Sequence, residues 1–120
     1  FGKSDPFFVI LSAMGGRSTQ VYKSEVINNN LNPLWNVAEI SVRDMCQGNY
    51  DGELKIQVFD YDSSSKHDII GETSTTLSAL LTGVSQRRSF PLVNPKKISW
   101  KSYKDSGELY VNHCQFKGQY

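Results

Sequence analysis

Between Gly52 and Tyr61 the chain reads GELKIQVFDY, in which Leu54, Ile56 and Val58 alternate with Glu53, Lys55 and Gln57. A period of two places the three apolar side chains on one face of an extended segment and the polar ones on the other. That pattern is incompatible with a helix and demands a sheet with one buried face. Other short apolar runs share this character and are separated by turn residues. PFFVILSA (6–13) ends at Gly15-Gly16, QVYKSEVI (20–27) ends at the turn cluster NNNLNP, and LWNVAEISV (34–42) follows with Trp35, Val37 and Ala38 directed inward. DIIGETSTTL (68–77) resumes after an aspartate-rich loop, SALL suggests one helical turn, SFPLV a short strand, and GELYVNHCQF (107–116) alternates again. About seven strands at this spacing predict an all-β, antiparallel sandwich with functional loops gathered at one end. His113, in the last of these strands, reads as a structural histidine.

The chain has 120 residues, enough for one domain spanning 1–120. Hydrophobic residues make up 38% and charged ones 21%, a balance that excludes an unfolded segment. No apolar run approaches the ~18 residues of a membrane span. The net charge of +1 gives no bulk field toward nucleic acid or membrane, so any such attraction has to be local. The start, FGKSDPFFVI, has neither an initiator Met nor a leader, and predicts a piece of a longer protein. Cys46 and Cys114 form no disulfide framework or metal-ligand spacing and read as two reduced thiols of a cytoplasmic protein.

The stretch FDYDSSSKHDIIGE (59–72) holds Asp60, Asp62 and Asp68 within nine residues. Asp60 and Asp62 sit two apart where a strand runs out, and Asp68 returns at the start of the next. Oxygen donors clustered on loops suit a hard divalent cation, and calcium takes six to eight of them in flexible geometry. An EF-hand loop beginning at Asp60 would need Gly and Glu where Ser65 and Gly71 stand, and helices at both ends. His67 has no Cys or His neighbour with which to hold zinc. The plainer reading is a solvated acidic hairpin, since Asp and Ser favour turns; the third aspartate, with Asp5 as a fourth, weighs against it.

DYDSSSKHDIIGE is similar to the third calcium loop of C2 domains. GKSDPF (2–7) resembles their first loop, and NNNLNPLWN (28–36) their N-P-x-W-N turn. NPKKISWKSYKDSGELYVNHCQF (94–116) and YKSEVINNNLNPLW further resemble the second C2 domain of copines, although SKHDIIGE is shared with synaptotagmins. The resemblance implies a C2-type sandwich that begins here with at least one N-terminal strand missing, inside a larger copine-like protein. It implies two or three calcium ions in the complete domain, held by Asp5, Asp60, Asp62 and Asp68, by Ser65, and by the carbonyls of Tyr61 and Lys66. A further first-loop aspartate of the family would lie just before Phe1.

Calcium-dependent docking on anionic phospholipid follows from the resemblance. Clustered carboxylates repel an anionic leaflet until calcium reverses the local sign, and lipid and calcium then raise each other's affinity. Phe1, Lys3, Ser63, Ser64, Lys66 and His67 would meet the membrane, with Phe1 the only large apolar tip residue, so docking is expected to be shallow, electrostatic and weakened by salt. The isolated domain is expected to be monomeric and cytoplasmic, recruited to the plasma membrane's inner face or other membranes. Calcium-independent protein binding, with the aspartate loop vestigial, is the alternative. NPKKISWKSYK interleaves four lysines with Trp100 and Tyr103; it reads first as a solvated loop, next as a phosphoinositide contact, and last as a nucleic-acid surface. No enzyme is indicated: Ser65, His67 and Asp68 crowd one loop, whereas a triad gathers its members from separate elements.

Overall fold

A computed structural model describes residues 4–63 and 65–117. In chain order the elements are β1 (Pro6–Ser12), β2 (Thr19–Lys23), α1 (Val42–Cys46), β3 (Leu54–Ser63), β4 (Lys66–Thr75), α2 (Leu77–Gln86), β5 (Ser89–Pro91) and β6 (Glu108–Tyr110). The strands form a four-stranded antiparallel sheet in the order β2-β1-β3-β4 and a two-stranded sheet of β5 and β6. One bridge, Glu72 to Val93, ties the chain after β5 to β4. The architecture is the expected all-β one of antiparallel layers, with six strands and two α-helices among the described residues.

Register explains the core. Opposed residues share a face, so Ile10, Ile56 and Thr73 line up across the sheet, as do Ser12, Leu54 and Thr75. Ile10, Leu54 and Ile56 pack against Met45 and Cys46 of α1, Leu77 and Leu80 of α2, and Phe90 of β5. Leu54 is fully buried. The opposite face carries Phe7, stacked on Phe59 at 5.5 Å and met edge-on by His67 at 4.9 Å. At Gly71 the chain passes so close that a Cβ would stand 2.8 Å from Leu92 Cβ and 2.9 Å from its carbonyl carbon.

Three expectations change. Residues 34–42 are not a strand: the segment pairs with nothing among the described residues, and Val37, expected inward, is exposed along with Leu34. Alternation reports which side chains differ in polarity, whereas a strand also needs a neighbour for its amides. Trp35 is half-buried, and its indole N–H donates to the Pro6 carbonyl at 3.2 Å, anchoring the turn. The single turn at SALL extends to ten residues, because Thr76 caps its start by accepting from the Ala79 amide and Arg87 closes it in the left-handed region. The final strand stops at Tyr110, which leaves His113 exposed beyond it.

Candidate functional site at the aspartate end of the sheet

β1, β3 and β4 bring their aspartates to one end of the large sheet. Pro6 pairs with Asp60 and Asp60 pairs with Asp68, so two carboxylates of neighbouring strands stand directly opposite one another. Asp5 immediately precedes β1. Its amide donates to Asp60 Oδ1 at 2.9 Å, its carbonyl accepts from the Tyr61 amide at 2.9 Å, and its own Oδ1 accepts from the Asn29 amide at 2.7 Å. The carboxylates of Asp5 and Asp60 thus tie the first loop, the 28–30 turn and β3 together. Each makes one such bond.

Two irregularities shape this end. A bulge between Val58 and Phe59 sets Gly71 opposite Val58 and Ile69 opposite Phe59, leaving Ile70 as the extra residue. A second, between Tyr61 and Ser63, carries the exposed Asp62. Ser63, Ser65, Lys66 and Asp68 are exposed, and Tyr61 is half-buried. His67 turns its ring into the wall beneath the loop, against Phe7 and, at 5.3 Å, Tyr61. Phe1, Lys3 and Ser64 lie outside the described residues.

The donors match calcium in kind, since every one is an oxygen. Among the described residues, however, no three acidic, histidine or cysteine side chains converge closely enough to hold a metal ion. One oxygen of Asp5 and one of Asp60 point at backbone amides instead.

One neighbour of the site escaped the sequence. Asn94 is buried, and its side-chain amide donates to the Ile69 carbonyl at 3.1 Å, next to Asp68. Its backbone amide donates to the Tyr103 hydroxyl at 2.7 Å, and its Oδ1 accepts from the Lys96 amide at 2.9 Å. NPKKISWKSYK, read from the sequence as a solvated loop, marked the segment without revealing this long-range partner.

The family pattern described as C2 domain matches residues 1–92. The chain belongs to the C2 domain family. A solved structure described as BON1-C2B is similar to this C2 domain at 30% identity, with a TM-score of 0.71, over 88% of this chain and 69% of the other. A second, of the SMP and paired C2 domains of Extended-Synaptotagmin 2, is similar at 27% identity and a TM-score of 0.52. That alignment covers 92% of this C2 domain and 20% of the longer chain. C2 domains as a family are binding modules for phospholipid membranes and proteins, and generally bind calcium. Among the described residues of this one, no helix is long and apolar enough to cross a membrane.

Proposed function

We propose that this C2 domain docks its parent protein on anionic phospholipid membranes when calcium rises. The observation that carries the reading is the pairing of Asp60 with Asp68, buttressed by Asp5. Like charges directly opposite in a sheet are destabilising; one oxygen of Asp60 is used on the Asp5 amide, while Asp68 stands exposed opposite it. A bound cation converts that repulsion into attraction.

Asp5, Asp60, Asp62 and Asp68 would hold calcium, with Ser65 and the carbonyls of Tyr61 and Lys66 as further oxygen donors. When bound, calcium supplies positive charge with coordination positions open to lipid oxygens. Ser63 and Lys66 are exposed at the same end and are suited to headgroups rather than to the hydrocarbon. The parent is proposed to be copine-like on the resemblance of 94–116, with this chain as its second C2 domain; the similarity to BON1-C2B supports a C2B-like domain. The protein would be cytoplasmic and recruited to the inner face of the plasma membrane or to other membranes.

The alternative is a calcium-independent protein-interaction domain, favoured by the exposed Leu31, Leu34 and Val37. Cosedimentation with phosphatidylcholine/phosphatidylserine vesicles separates the two. Calcium should increase binding over chelator, and Asp60→Asn with Asp62→Asn should abolish that increment. Equal binding with calcium and chelator would leave the protein-interaction reading standing.

A further inference from the structure

The loop from Asn94 to Gly107 lies at the same end of the domain as the aspartates. Val93 pairs with Glu72 in the antiparallel sense, so the chain that follows runs back along β4 toward Asp68. Asn94 then fastens it to the Ile69 carbonyl, one residue from Asp68.

The loop is built to a fixed shape. The Lys97, Trp100 and Tyr103 amides each donate to the carbonyl three residues earlier, at 3.0, 2.9 and 3.2 Å. Tyr103 Oη closes the far side on the Asn94 amide at 2.7 Å and on Ser106 Oγ at 2.7 Å. On this frame Ile98 is 70% exposed and Trp100 58%. The Lys97 ammonium lies 5.2 Å from the centre of the Trp100 ring. From Asn94 to Lys104 there are four lysines and no acidic residue. None of the four is in an ion pair among the described residues.

Two large apolar side chains on an ordered loop, ringed by uncompensated cations, have the composition of an interfacial anchor. The indole sits at the headgroup level, the isoleucine reaches the acyl boundary, and the ammonium groups meet phosphates. We infer that the 94–104 loop is a second membrane contact, which binds anionic phospholipid without calcium through Ile98, Trp100, Lys96, Lys97 and Lys101. The inference rests on the membrane-docking reading for the orientation of the domain, not on its calcium dependence. The sign of the loop selects an anionic surface, and the adjacent apolar pair selects a bilayer over nucleic acid.

The test uses the 120-residue chain with phosphatidylcholine vesicles, with or without one quarter phosphatidylserine, in chelator and in calcium. In chelator, binding is expected to the anionic vesicles only. Each lysine is expected to contribute about 5-fold, so Lys96→Ala/Lys97→Ala/Lys101→Ala should lower the calcium-free partition coefficient on the order of 100-fold. The corresponding arginine variant should retain it. Trp100 emission should shift to the blue on binding, and that shift should disappear in Trp100→Phe. Lys96, Trp100 and Lys101 are exposed and Lys97 is half-buried, and an unchanged thermal midpoint confirms the fold of each variant. No binding in chelator, equal binding by the alanine variant, or retention of a single-stranded oligonucleotide in place of vesicles would overturn the inference. Failure of the calcium reading has a different signature, namely that calcium adds nothing to binding by the unaltered chain.

Discussion

The two ends of the β3–β4 hairpin obey opposite rules. At one end Leu54 faces Thr75 beneath both helices, and the apolar side chains there gain from burial. At the other, Asp60 faces Asp68, and each group there raises the energy of its neighbour. One pair of strands therefore carries a region selected for packing and a region that packing alone would reject. The contrast teaches where to look for a ligand: at the place where a well-made sheet departs from its own logic.

The contrast can be broken most severely at the packed end. Leu54→Ala is expected to destabilise the domain by about 2–5 kcal/mol, through lost burial and the cavity left between sheet and helices. Denaturant unfolding measures it, and a loss below about 1 kcal/mol would mean that the helices do not close over Leu54. Midway along the hairpin, Gly71→Ala forces a methyl group into Leu92. A cost of about 1–3 kcal/mol is expected, again by chemical denaturation, because a contact with backbone cannot be relieved by a rotamer change. The smallest effect belongs to the charged end and has the opposite sign. Asp68→Asn in chelator should stabilise by roughly 0.2–1 kcal/mol as the cross-strand repulsion disappears. In calcium the unaltered domain should gain thermal stability by mass action, about 2.7 kcal/mol at a hundredfold excess over Kd, and Asp68→Asn should gain less. Differential scanning calorimetry reads both conditions, and an Asn variant less stable in chelator would show that the pairing is structural.

Much of this was legible from residue order. The alternation of 54–58 located β3. Less legible was anything that depends on a distant neighbour. Residues 34–42 have strand composition yet pair with nothing among the described residues. The five-residue helix α1 carried only Ser41 as a cap signal, its side chain accepting from the Asp44 amide. In α2, Leu77, Leu80, Leu81 and Val84 do follow the helical period, but Gly83 within the run obscured it. Of the site, sequence named the aspartates. It did not foresee that Asp5 and Asp60 each turn an oxygen toward a backbone amide, or that Asn94 binds a lysine-rich loop beside them.

The extra residue at Ile70 divides β4 into two phases. Counted back from Thr75 in an unbroken ladder, Ile69 would oppose Asp60 and Asp68 would oppose Tyr61. A single inserted residue thus decouples the parity of the loop from the parity of the core. Mutations that retune the charged end can accumulate without shifting any core side chain out of step. Drawing Ile70 into the ladder would exchange the aspartate pair for an aspartate facing an isoleucine, whereas deleting it would leave the aspartates opposed on a straighter strand.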